Sequence, residues 1–174
     1  MARKKKFVKE SSVTMTELVL PNDTNTLNNL MGGRLMHWMD IAAAIAAQKH
    51  SNRIVVTASV DNISFDKPLY LGNVVTICAQ VSRAFNSSME IFLKVFAEDI
   101  PASKKFQTHS AFFTFVAVDQ SGSPIDVPEA VPETDEEQEL FAGALRRRQL
   151  RLVLAKRMNP DDATELKSLF ILDD

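Results

Sequence analysis

Residues 35–47 read Leu-Met-His-Trp-Met-Asp-Ile-Ala-Ala-Ala-Ile-Ala-Ala, apolar nearly all the way round a helical wheel except at Asp40. A helix of that character belongs in a core rather than on a surface. A carboxylate in such a setting is costly unless something pairs with it, so its presence asks for a reason. Just upstream lies Gly32-Gly33, where a chain entering a helix presents backbone N–H groups that have no intrahelical acceptor. Amide donors followed by a carboxylate on an apolar helix make a candidate catalytic element.

The segments around this helix set the fold class. Residues 11–20 alternate and are rich in Val and Thr, which predicts a first strand ending at Pro21. Residues 22–29 are dense in Asn, Asp and Thr and read as a loop. The helix is expected over residues 33–50, followed by four strands at 53–65, 73–85, 89–97 and 105–118. Strand, long helix and four consecutive strands imply an α+β domain, an antiparallel sheet packed on one central helix. A single sheet covers only one face of such a helix, so the surplus hydrophobicity calls for a second partner, most economically a dimer.

Pro124, Pro128 and Pro132 mark a linker after this domain. A helix is expected over residues 136–158, then a short last helix to 172 with Asn159 as N-cap and Pro160 in its first turn. The organisation is therefore a basic tail at 1–10, the α+β domain at 11–132 and a helical extension at 133–174. The tail, with Arg3, Lys4, Lys5 and Lys6, reads as solvated. It lacks the apolar run of a signal peptide, and no stretch approaches a membrane span. A net charge of −2 exerts no general pull on nucleic acid. Cys78 is the single cysteine, which excludes a disulfide within the chain, argues against a zinc site and suits a reducing, cytoplasmic setting. Cys78 itself reads as a strand residue, and His50 and His109 have no visible partner.

Several blocks in the right order resemble the hotdog-fold acyl-CoA thioesterases, in the subgroup of YciA-like bacterial enzymes and cytosolic acyl-CoA hydrolases of animals. They are Asp23-Thr24-Asn25, Leu30-Met31-Gly32-Gly33-Arg34-Leu35-Met36, Met39-Asp40, Val56-Thr57-Ala58-Ser59-Val60-Asp61 with Phe65, and Ala111-Phe112-Phe113-Thr114-Phe115-Val116-Ala117-Val118. The resemblance covers roughly residues 11–132. It implies a long helix wrapped by an antiparallel sheet, an acyl-CoA substrate, no cofactor and no metal. It further implies a dimer, commonly assembled as a hexameric trimer of dimers. By the same resemblance Asp40 is the catalytic carboxylate, Asn25 a second active-site residue from the partner subunit, and the backbone N–H near Gly33 the group that polarises the carbonyl. Gly32, Thr57, Ser59, Arg83, Ser87 and Ser88 are implied to contact substrate. Met31 departs from the many relatives with His before the glycine pair, so a His role there is excluded.

The chemistry is consistent with these residue types. A thioester carbonyl becomes an oxyanion in the transition state, and an amide donor at a helix N-terminus stabilises it. Asp40 serves as general base on water or as nucleophile. Seven residues separate Gly33 from Asp40, about 10 Å along a helix, which favours a water between them. Arg83 with Ser87 and Ser88 has the charge and hydroxyls to hold a phosphate of CoA. Arg146, Arg147, Arg148, Arg151, Lys156 and Arg157 read as a solvated helix face before a ligand site. His37, three residues before Asp40, is a core-edge histidine or a partner for it. The latter keeps open an acyl-thioester dehydratase or hydratase. A non-catalytic acyl-CoA sensor is the remaining alternative.

Overall fold

The computed structural model describes residues 3–169 apart from residues 62, 64 and 66. It divides into two compact units, Met1–Val131 and Pro132–Asp174. In the first, α1 (Gly32–Ser51) lies against a five-stranded antiparallel sheet of β2 (Val13–Leu18), β3 (Ile54–Val60), β4 (Val74–Ala84), β5 (Ser88–Asp99) and β6 (Lys104–Val118). The spatial order is β2-β4-β5-β6-β3, which leaves β2 and β3 as the edges. This is the expected α+β hotdog arrangement.

Alternation within the central strands explains the layering. Val75, Ile77, Ala79 and Val81 of β4 point to the helix side, as do Met89, Ile91, Leu93 and Val95 of β5 and Phe113, Phe115 and Ala117 of β6. Against them α1 sets Leu35, Trp38, Met39, Ala42, Ala43, Ala46 and Ala47. The four alanines let the helix axis approach the sheet closely while Trp38 and Met39 fill the wider end. The helix stops at Asn52, which adopts the left-handed conformation (φ 53°) and donates its N–H to the Gln48 carbonyl.

The opposite face of α1 stays open in the single chain. Met36, Ile41 and Ile45 are 37%, 37% and 41% exposed, and Asp40 lies among them, half-buried. Asp40 is on the face the sheet does not cover, the face for which the sequence called for a second partner.

The N-terminal segment is also built in, against the expectation of a solvated tail. β1 (Lys5–Phe7) pairs in parallel with β7 (Glu129–Val131), and a 3-10 turn at Val8–Glu10 buries Val8. Arg3 donates to the carbonyls of Val127 and Phe85, and Lys6 to that of Lys49 in the last turn of α1. Lys6 is favoured there because a helix C-terminus presents bare carbonyls. His50 has partners after all, the Ser11 hydroxyl and the Pro128 carbonyl.

The second unit holds α2 (Asp135–Leu154), opened by a Thr134–Glu137 capping box, and a short α3 (Thr164–Lys167). Asn159 caps a 3-10 turn at Pro160–Asp162, and the Leu166 N–H donates to Gln149 Oε1. The expected continuation through 172 falls partly outside the described residues, as do residues 62 and 64 of the strand expected over 53–65. No helix among the described residues is long and apolar enough to cross a membrane.

Candidate active site

α1 begins at Gly32 with Met31 as N-cap, and no side chain caps it. The N–H groups of Arg34 and Leu35 both donate to the Met31 carbonyl, so among the described residues the donors left bare at this helix start are those of Gly32 and Gly33. Neither glycine has a positive φ. A Cβ at Gly32 would meet the Phe65 ring at 3.5 Å, an ordinary contact, whereas one at Gly33 would meet nothing within 4 Å. Glycine costs a helix about 0.5–1 kcal/mol relative to alanine. The space over Gly33 is open, so a bound group could come up to its N–H without meeting a side chain.

Asp40 shares this open face, because seven residues turn an α-helix almost two full turns, about 20° short of coincidence. Its Oδ1 accepts a hydrogen bond from Thr57 Oγ1 at 2.8 Å. Thr57 reaches it because its β-sheet partner is the inward-facing Phe115, which places Thr57 on the helix side of edge strand β3. His37 is exposed and makes no hydrogen bond to Asp40 among the described residues.

A β-bulge at Ala58 separates Thr57 from Ser59. Thr57 pairs with Phe115 but Ser59 pairs with Thr114, so the phase of the strand switches and Ser59 emerges on the far face. Arg83, Glu90, Thr114 and Ser59 form one row across β4, β5, β6 and β3 on that face. Glu90 is fully buried and accepts from the Ser82 hydroxyl at 2.6 Å. Ser88 shares the far face, since its neighbour Met89 points into the core. Ser87 lies in the β4–β5 hairpin, where its carbonyl accepts from the Ala117 N–H. The residues grouped by sequence thus divide between two faces. Gly32, Gly33, Asp40 and Thr57 lie on the helix side, Ser59, Arg83 and Ser88 on the other.

Asn25 sits in the exposed loop leading to α1. Its Oδ1 accepts the N–H groups of Leu27 (2.9 Å) and Asn29 (3.1 Å), which fixes the amide orientation. Only its Nδ2 donors remain for a ligand. Among the described residues no hydrogen bond joins Asn25 to Asp40. Two neighbours escaped the sequence analysis as contributors. Phe65 lies over Gly32 and against the buried His109 ring, with centroids 5.5 Å apart. Asp23, quoted above only as the start of the Asp23-Thr24-Asn25 block and given no role, forms an ion pair with Arg34. No periodicity marks either contact, because each joins a loop to another element.

Residues 27–103 match the family model described as the thioesterase superfamily. An uncharacterized acyl-CoA thioester hydrolase of Bacillus subtilis, YkhA, is 42% identical over 142 residues, covering 82% of this chain and 83% of that one. A hexameric acyl-CoA thioesterase solved in its apo form superposes with a TM-score of 0.85 at 36% identity, covering 87% of this chain and 97% of the other. An acyl-CoA hydrolase of Staphylococcus aureus, solved with butyryl coenzyme A, coenzyme A and coenzyme A disulfide, gives a TM-score of 0.81 at 36% identity, covering 88% and 95%. That hydrolase has also been solved with an asparagine, an aspartate or a threonine replaced by alanine. In that chain the three are spaced as Asn25, Asp40 and Thr57 are here.

Proposed function

The chain belongs to the thioesterase superfamily, and on that footing we propose that it hydrolyses acyl-CoA to free CoA and a carboxylic acid, with Asp40 as general base. One observation carries the assignment of the site: Asp40, held by Thr57, faces the same open side of α1 as the bare N–H groups of Gly32 and Gly33. The thioester carbonyl docks on those amides, with Asn25 Nδ2 as a further donor, and develops its negative charge there. Thr57 engages Asp40 Oδ1 and leaves Oδ2 to accept a proton from water. The water oxygen bonds to the carbonyl carbon, and collapse of the tetrahedral intermediate breaks the C–S bond. The departing thiolate takes back the proton from Asp40. Nothing but water and the thioester is consumed, so the reaction calls for no cofactor.

Two copies complete the site. A carbonyl on Gly33 is about 10 Å along the axis from the Asp40 of the same chain, too far for one bound water. A two-fold pairing of α1 open faces sets Gly33 and Asn25 of one subunit against Asp40 and Thr57 of the other, which removes the gap. The surface supports such a pairing. Val60 on the helix side of edge strand β3 is exposed, as are Met36, Ile41 and Ile45 on α1, apolar side chains that an isolated chain would present to aggregation. The hexameric relative supports three such dimers as the full assembly. Ser59, Arg83 and Ser88, on the far face of the sheet, serve the nucleotide end of CoA only where an assembled neighbour brings it there. The free Cys78 thiol suits the cytoplasm as the place of action.

The test is thiol release from a chain-length panel of acyl-CoAs, run with Asp40→Asn alongside. Wild type should turn over at least one chain length, and the variant should fall by about 10²–10⁴ in rate. Absence of release with every substrate would overturn the hydrolase assignment. Retained activity in Asp40→Asn would remove Asp40 from the mechanism.

A further inference from the structure

Asp23 is buried although it belongs to a surface loop, and each of its oxygens is occupied. Its Oδ2 accepts the Leu20 N–H at 3.0 Å, its Oδ1 the Arg34 Nε–H at 2.7 Å, and its carbonyl the Met31 N–H at 2.9 Å. Beyond it the loop closes on itself like a small hairpin. Thr24 bridges to Leu30, and the Asn25 N–H donates to the Asn29 carbonyl at 2.8 Å. Asn25 therefore sits on the last rung of a closed loop whose base is Asp23 and Met31. Among the described residues, the Asp23–Arg34 pair is the side-chain link between that base and the first turn of α1.

Arg34 directly follows the two glycines that present bare amides. From this geometry we infer that Asp23 and Arg34 act as a positioning clamp, fixing the Asn25 amide relative to the Gly32 and Gly33 N–H groups so that one carbonyl oxygen meets all of them. The inference rests on the roles given above to Asn25 and the glycines. On its far side the loop is tied to the 69–71 segment, through the Leu30 N–H to the Leu69 carbonyl at 2.7 Å and the Leu71 N–H to the Asn28 carbonyl at 3.0 Å. The guanidinium–carboxylate contact adds the tie to α1, because Arg34 is fixed by the helix and Asp23 by the segment that follows β2. Displacement of a reacting group by about 1 Å costs on the order of 10²-fold in rate, so a clamp of this kind is felt in catalysis before it is felt in binding.

A double-mutant cycle tests the clamp. Arg34→Gln, Arg34→Lys and Asp23→Asn are made in wild type and in Asn25→Ala, and kcat, KM and melting temperature are measured with a substrate the wild type turns over. Arg34 is partly exposed, with 37% of its side chain accessible, so Arg34→Gln reports even where Asp23→Asn fails to fold. Expected is a loss of about ten- to a hundredfold in kcat with KM within about threefold, and partial recovery in Arg34→Lys. In the Asn25→Ala background the same substitutions should cost less than about threefold, because the group they position is gone. Equal losses in both backgrounds, or a rise in KM with kcat unchanged, would overturn the clamp. An Asn25→Ala chain with wild-type kcat would instead overturn the role of Asn25 itself.

Discussion

Thr57→Val removes one hydroxyl and keeps the β-branched shape that suits an edge strand. The lost bond is a 2.8 Å donation to the Asp40 carboxylate. Hydrogen bonds to charged groups contribute about 1.5–3 kcal/mol, more than the 0.5–1.5 kcal/mol of neutral ones. In a lone chain Thr57 is exposed and water replaces the hydroxyl readily, so little of this reaches folding stability. In the paired site the partner excludes water, and the bond fixes which Asp40 oxygen faces the attacking water. At 1.4 kcal/mol per factor of ten, kcat/KM should fall about ten- to a hundredfold. Thr57→Ser, which keeps the donor, should stay within about threefold of wild type, and Thr57→Val should add almost nothing to Asp40→Asn. Steady-state thiol release and thermal unfolding together give the answer. A folded Thr57→Val enzyme with wild-type kcat/KM would refute the orienting role, as would a full loss repeated in the Asp40→Asn background.

Gly33→Ala should fold normally and gain up to about 1 kcal/mol in helix stability, yet lose activity at least tenfold as its methyl group fills the approach to the amides; unchanged kcat would show that substrate passes elsewhere. Ile45→Glu places a charge on the open face of α1, where burying an apolar side chain contributes about 1.5–3 kcal/mol per subunit, and sedimentation should report smaller species and lost activity. His50 makes a pH prediction. Burial holds its imidazole below the ordinary value of 6.5, with Lys6 and Arg3 pushing the same way and the Pro128 carbonyl and Glu10 opposing. The folded state therefore disfavours the protonated ring. The stabilising contribution is complete above pH 6.5 and declines as the pH drops from there through the folded value. Urea midpoints measured between about pH 5 and 8 should show that limb in wild type and a shallower one in His50→Gln, which retains a donor for Pro128. Identical limbs would assign the effect to other groups.

The α1 helix and the four strands after it were legible in the sequence because each carries its own period. The alternation in Val75, Ile77 and Ala79 and the alanine-rich stretch of the helix are local patterns that packing reinforces. β1 and β7 were not legible. Three residues among lysines carry no period, and their pairing is fixed by Arg3 and by the carbonyls at the end of α1. Asp40 was singled out as a carboxylate on an apolar helix, and its neighbours in sequence gave no hint that Thr57 would hold it.

What the sequence determined by itself is the sheet-and-helix architecture, the surplus apolar surface of α1 and the glycine–aspartate spacing along one helix face. Hydrophobic periodicity and helical geometry act over a few residues, so a linear reading captures them. The tertiary structure decided which face of α1 the sheet covers, and so left Asp40 open to a partner rather than sealed in a core. It also separated Thr57 from Ser59, because one extra residue at Ala58 turns the strand over. It tied Asp23 to Arg34 across the loop, a contact set by where two elements end and not by any local pattern.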